Sequence, residues 1–124
     1  MSEHASLEQI LAALEAAGEP TRLRLLALLG EAELTVSELV TILGQSQPRV
    51  SRHLKLLVEA GLIERHREGS WAFFRAAESG AQAGLARDVI ARVAPGDPVL
   101  AADRGRLAEA RKARSEHAAR YFAT

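Results

Sequence analysis

Gln47, Arg49, Ser51, Arg52 and Lys55 crowd polar and cationic side chains into one short stretch of the chain. A guanidinium can donate two parallel hydrogen bonds to a guanine edge, and a glutamine amide can both donate to and accept from adenine. An ammonium group and a hydroxyl suit phosphate oxygens. The same residues offer little to catalysis. Ser51 and His53 stand two apart, so on a helix they point about 200° from each other and cannot form a nucleophile–base pair. The chain has no cysteine, no glycine-rich phosphate loop and no pair of carboxylates in a recognisable catalytic setting. The expectation is a binding surface, not an enzyme.

The elements that must present these residues can be read around them. Ser46 is placed to cap a helix beginning near Gln47, and Pro48 suits its first turn, where a missing N–H leaves no bond unmade. Over 46–60, Val50, Leu54, Leu57 and Val58 fall on one stripe. Pro48, Arg52, Lys55 and Glu59 lie opposite, flanked by Arg49 and Ser51. Just before, Thr35 and Glu38 have capping-box spacing and open a short helix through Val36, Leu39, Val40 and Leu43 that should stop at Gly44. The tight connection Gly44-Gln45-Ser46 makes the two a helix-turn-helix.

Beyond Ala60-Gly61 the period changes from 3.6 to 2. Leu62 to Arg67 and Trp71 to Arg75 read as two strands joined by Glu68-Gly69-Ser70, a β-wing. The expected fold class is mainly α with a two-stranded β-wing, a winged helix-turn-helix. Arg65 and Arg67 share a strand face and, with Arg75, are expected to reach phosphates or the minor groove. Trp71 with Phe73 or Phe74 is expected to anchor the wing on the helical core.

The run from Gly18 to Leu26, the run from Ser46 to Ile63 and the wing together resemble the bacterial arsenic-repressor (ArsR/SmtB) family of winged-helix regulators, over roughly residues 7 to 93. The resemblance implies a homodimeric transcription factor, usually a repressor, that releases its double-stranded DNA operator when an effector binds. Two copies of helix 46–60 would enter successive major grooves about 34 Å apart and read an imperfect palindrome. Gln47, Arg49, Ser51 and Arg52 are then the base-edge readers. Ser46, Lys55, Arg65, Arg67 and Arg75 serve mainly phosphates, with Pro48, His53 and Gly69 completing the DNA-binding set, although His53, at the edge of the outward face, is equally open to a packing role.

Metal-sensing members of the family carry Cys-Val-Cys where this chain has Thr35-Val36-Ser37. Their other site needs an Asp-x-His pair, whereas Asp88 here precedes Val89 and Ile90. No metal or cofactor is therefore expected. His66 sits on the wing, while His4 and His117 lie near the termini without a third ligand in view. What remains is a small organic effector held between the first and fifth helices or at the dimer seam. Residues 113–122 resemble the connector to a methyltransferase domain in one subfamily, which brings in S-adenosylhomocysteine as a candidate. It also raises an alternative, a dimerisation and protein-interaction module of a methyltransferase-linked regulator. The outward cations at Arg49, Arg52 and Lys55 argue for DNA, since protein-docking surfaces favour apolar anchors.

A chain of 124 residues with 48% hydrophobic but only 4% aromatic residues suits one small helical domain with an aliphatic core. The expected division is 1–93 for the winged helix-turn-helix and 94–124 for a C-terminal helix that dimerises or connects onward. The net charge of zero conceals a gradient: residues 1–44 carry −5, residues 45–75 carry +3 and residues 76–124 carry +2. Local phosphate neutralisation therefore suffices, with a moderate salt dependence. Neither a membrane-length apolar run nor a signal-peptide pattern is present, so the expected location is the cytoplasm.

On the scaffold, Leu7, Ile10, Leu11 and Leu14 form a helical stripe ending at Gly18, and Leu23, Leu26, Ala27 and Leu29 continue it between Pro20 and Gly30. Both helices are expected to pack against the recognition unit. Arg22 and Arg24 are open to phosphate contact or plain solvation. Leu85, Val89, Ile90 and Val93 mark a helix over 81–93. The expected dimer contacts are Leu7, Leu11, Leu14, Leu100, Leu107, Tyr121 and Phe122.

Overall fold

The computed structural model describes residues 4–123, with side chains as far as Tyr121. Six helices and one hairpin follow in the order α1 (Leu7–Ala17), α2 (Pro20–Leu29), α3 (Val36–Leu43), α4 (Gln47–Glu59), β1 (Ile63–Glu68), β2 (Trp71–Ala76), α5 (Ala81–Ala91) and α6 (Pro98–Ala123). This is the expected winged helix-turn-helix. Among the described residues, no helix is long and apolar enough to cross a membrane.

The helix ends form where local chemistry provides for them. The Thr35 hydroxyl accepts from the Glu38 N–H at 3.2 Å while the Glu38 carboxylate accepts from the Thr35 N–H at 3.0 Å, completing the capping box of α3. Gly44 ends that helix at φ +66°, a left-handed conformation in which a Cβ would be strained. Ser46 has the extended backbone of an N-cap but makes no capping hydrogen bond with its side chain, so α4 starts without the expected hydroxyl contact. Pro48 near its first turn removes one donor that would have needed a partner.

The core centres on Leu25, Leu39, Ile42, Val50 and Leu57, all with 0% exposure, from α2, α3 and α4. In α2 the deepest residues are Leu25 and Leu28, while Leu23 and Ala27 are half-buried, because helices press on this element from more than one side. α1 reverses the expected stripe. Its buried face is Ala13, Ala16 and Ala17, and Leu7, Leu11 and Leu14 are left exposed. Small residues let α1 approach α2, α4 and α5 closely, and the larger side chains turn outward. α5 repeats the pattern with Ala83 and Ala86 buried and Leu85, Val89 and Ile90 half-buried. It also stops at Ala91, before the expected Val93.

α6 lies along α2 and α3 of its own chain. Leu107, expected at a dimer seam, is only 2% exposed and belongs to the intrachain core. The anchor is Asp103, 1% exposed, whose carboxylate accepts from Arg24 Nε and one terminal nitrogen at 2.9 Å each and from Arg106 at 2.8 Å. Arg106 Nε also donates to the Ile42 carbonyl at 2.6 Å, at the end of α3. Burial alone would raise the Asp103 pKa, but the hydrogen bonds from Arg24 and Arg106, with their charges, together hold it below the ordinary value. The partner Arg24 is raised, first by that hydrogen bond and against its own desolvation.

Replacing Asp103 with Asn should cost about 3 kcal/mol, since it leaves Arg24 and Arg106 facing a neutral group that cannot accept three charged donors. Because the folded carboxyl is the stronger acid, its contribution is complete above the ordinary carboxyl range. It is lost as pH falls through that range to the lower folded value. Urea unfolding at neutral and acid pH should therefore show the gap between wild type and Asp103→Asn closing on acidification.

Candidate nucleic-acid interface

α4 has one buried side and one open side. Val50, Leu54 and Leu57 are at most 1% exposed, which turns Arg49, Arg52 and Lys55 to solvent. Val58, expected on the buried stripe, is 38% exposed at the end of the helix. Gln47 Nε2 donates to the Ser51 hydroxyl at 2.9 Å across one helical turn, so the two expected base readers are already linked. Lys55 sits 4.0 Å from Glu59 with both side chains well exposed, a pair worth little in water.

The turn before α4 is held from below. Gln45 Nε2 donates to the buried Thr21 hydroxyl at 3.0 Å, tying the connection to α2. His53 also faces α2. Its Nδ1 lies 3.2 Å from an Arg22 terminal nitrogen and 3.8 Å from a Glu19 carboxylate oxygen, and the side chain is 14% exposed. Arg22 Nε donates to the Ala16 carbonyl at 2.6 Å. His53 is thus a packing residue beneath the outward face, and Arg22 and Arg24 are both committed within the chain, which removes all three from the exposed cationic surface. Burial lowers the His53 pKa most; Glu19 opposes this, and the charges of Arg22, Arg49 and Arg52 add to the lowering.

The hairpin has a two-residue turn, tighter than the expected three. Glu68 pairs with Trp71 across Gly69 and Ser70, and Gly69 at φ +63° supplies the positive φ that a type II′ turn requires at its first position. The register sets the faces of the wing. Arg65 and Arg67 stand opposite Phe74 and Ala72 on one face, exposed toward the tip. Phe74 is 6% exposed at the root of that face and exchanges backbone hydrogen bonds with Leu34 at 2.9 and 3.0 Å, which pins the wing to the segment before α3.

The other face carries Glu64, His66, Phe73, Arg75 and Trp71. Arg75 is therefore separated from Arg65 and Arg67 and is engaged by Glu64 at 3.3 Å and Glu33 at 3.8 Å. It does not belong with the exposed wing cations. His66 stacks on Phe73 at 5.8 Å between ring centroids, with its Nδ1 2.9 Å from Glu33 but off the line of a good hydrogen bond. Trp71, 62% exposed, is not an anchor in the core. It lines a groove with Phe73, Thr35, Arg114 and Tyr121, between the wing, α3 and α6. Arg114 there bonds the Glu38 carboxylate and stands 5.7 Å over the Phe73 ring.

The geometry accounts for a close set of likenesses. The profile described as bacterial regulatory protein, arsR family, matches residues 19–65, from the N-cap of α2 into β1. The transcriptional repressor BigR from Xylella fastidiosa has the same fold at a TM-score of 0.64 and 30% identity, covering 73% of this chain and 88% of that one. The chain belongs to the arsR family of bacterial regulatory proteins. An arsenical resistance operon repressor of Escherichia coli strain K12 is 48% identical over 58 residues, which is 46% of this chain and 50% of the repressor. The match thus spans about half the length of that relative. A homodimeric winged helix-turn-helix DNA-binding domain from Mycobacterium bovis, an arsR-family candidate regulator, aligns at a TM-score of 0.61 and 26% identity over 73% of this chain and 89% of that one.

The anchor of α6 has little local signal in the sequence of this arsR-family chain. The Arg24–Asp103 pair joins residues 79 apart, and only the Asp103–Arg106 spacing on α6 hinted that Asp103 would be held. The leucines of α1, expected both to pack on the recognition unit and to make dimer contacts, face outward, and the alanines interleaved among them take the inward face. An NMR titration should find the His53 ring protonating at lower pH than a histidine in an unfolded peptide. A midpoint at or above that of the peptide would mean that the ring is not packed against α2.

Proposed function

We propose that the chain is a sequence-specific, DNA-binding transcriptional regulator, a repressor that binds a palindromic operator as a homodimer and answers to a small organic effector. The observation that carries this reading is the gathering of exposed cations on α4 and β1, apart from the arginines spent within the fold and from Arg87 and Arg104, which lie by the α5–α6 cavity. Arg22, Arg24, Arg75, Arg106 and Arg114 are each engaged by carboxylates, carbonyls or a ring of the same chain. Arg49, Arg52, Arg65 and Arg67 are exposed and, among the described residues, take part in no ion pair. With Lys55, these five form a cationic set on α4 and the outer part of β1. Arg49, Ser51, Arg52 and Gln47 are the base readers, and Lys55, Arg65, Arg67 and the Ser46 and Gly69 backbone serve the phosphates.

The outward aliphatics supply the dimer. Leu7 is 77%, Leu11 56% and Leu14 46% exposed on α1, and α5, packed against α1, adds half-buried Leu85 and Val89. Burying a leucine is worth about 1.5–3 kcal/mol, so a second copy covering this face gains substantially. Leu100, half-buried at the start of α6, can extend the seam. Tyr121 lines the groove by the wing instead, and the Phe122 side chain lies outside those described. The cytoplasm is the compartment where such a regulator meets its operator. Of the organic effectors, S-adenosylhomocysteine rests on the resemblance of residues 113–122 alone, whereas a cavity beside α5 has a charge pattern of its own.

Fluorescence anisotropy on the chain's own upstream DNA and on a scrambled duplex tests the reading. Arg52→Ala should weaken binding to the specific duplex about tenfold or more and leave scrambled DNA nearly unchanged. Equal loss on both would reduce Arg52 to a phosphate contact. Arg67→Ala should lower the salt slope by about one, and Arg75→Ala should leave it unchanged. Leu11→Glu should yield a folded monomer by light scattering, with DNA affinity reduced on the palindrome.

A further inference from the structure

Between α2, α5 and the first turns of α6 lies a cavity of about 400 Å3, within the range of about 300–1,000 Å3 typical of small-molecule sites. Leu26, Ala83, Ala86, Ile90 and Leu100 make its walls apolar. Leu62 and Ala77, joined by the Ala77 N–H to Leu62 carbonyl hydrogen bond at 3.1 Å, bring it to the root of the wing.

Four charged residues meet this space: Glu31, Arg87, Asp103 and Arg104. Asp103 is spent, since both of its oxygens are taken by Arg24 and Arg106. Glu31 is exposed. Arg87 and Arg104 are exposed at the cavity edge, and each reaches only a backbone carbonyl, that of Ala77 or Pro95, at 3.4 Å. Such bonds are long for N–H···O, and neither guanidinium takes part in an ion pair among the described residues. The cavity therefore combines an apolar interior, a neutralised buried acid and two guanidiniums with most of their donors uncommitted. Carboxylates fit such a guanidinium fork with two parallel hydrogen bonds.

We propose that this cavity is a binding site for a small apolar monocarboxylate, its hydrocarbon or aromatic body among Leu26, Ala86 and Ile90 and its carboxylate held by Arg87 and Arg104. Its role as the effector site rests on the regulator reading above. α5 packs on α1, where the outward leucines lie, and the cavity also touches the wing root. A ligand seated against α5 thus acts at once on the dimer seam and on the base of β1.

Titration calorimetry on the full chain, with octanoate and benzoate as probes and 1-octanol as the neutral control, tests the site without DNA. Saturable binding of a carboxylate at least tenfold tighter than octanol supports it, provided that Arg87→Gln and Arg104→Gln each weaken binding about tenfold or more. Unchanged thermal unfolding of these two exposed-site variants would show that the fold is intact. Equal binding of octanol, indifference to both substitutions or no binding of either carboxylate overturns the proposal. So does a change in the monomer–dimer equilibrium of the variants with no ligand binding, which would assign the face to a second copy. The regulator reading is judged separately: failure of the ligand-free protein to bind any duplex counts against that reading and leaves the calorimetric result standing.

Discussion

The burial of Val50, Leu54 and Leu57 leaves α4 a single orientation, and the arrangement of the cationic surface depends on it. A helix with three aliphatic side chains withdrawn from water cannot rotate to hide its arginines without exposing them, at about 1.5–3 kcal/mol for each aliphatic group. The partners that hold this face come from α2 and α3, and the Gln45–Thr21 hydrogen bond fixes the turn through which α4 is entered. Presentation of Arg49, Arg52 and Lys55 is a consequence of core packing, with no contribution needed from the cations themselves.

Several arginines outside that face hold the molecule together. Arg24 and Arg106 converge on Asp103 and lock α6 across α2 and α3; Arg111 donates to the Glu31 carbonyl and Arg114 to Glu38. Arg106, Arg111 and Arg114 of the basic segment 76–124 are thereby directed onto the N-terminal region that carries −5. The zero net charge is the balance of an acidic scaffold, residues 1–44 and 76–124 at −3 together, and a basic α4 and wing segment, residues 45–75 at +3. A long α6 with weak amphipathicity stays attached because ion pairs and Leu107 supplement its small apolar stripe.

Periodicity and capping chemistry make most of the element order legible in the sequence. Thr35–Glu38, Gly44, Pro20 and Gly30 act within one or two turns of chain, and local signals of this kind survive folding. Which face of α1 would be buried was not legible, because Leu7, Leu11 and Leu14 and the alanines Ala13, Ala16 and Ala17 are both apolar. The choice was made by how closely neighbouring helices approach, a tertiary property. Arg75 was misgrouped with Arg65 and Arg67 because the strand pairing sets it opposite Glu64, and alternation puts positions 65 and 75 on different faces. Leu107 differs from expectation, and His53 takes the packing role of its two expected ones, for a similar reason, since their partners in the helical core and at Arg22 are distant in sequence.

Backbone amide NMR mapping on titration with an operator-length duplex tests most directly which surface meets DNA. The largest shifts should fall on residues 46–56 of the turn and α4 and on 65–70 at the wing tip, with the groove residues away from the tip, Thr35, Arg114 and Tyr121, little changed. Shifts centred on that groove and on α6, with α4 silent, would contradict this placement of the DNA-binding surface.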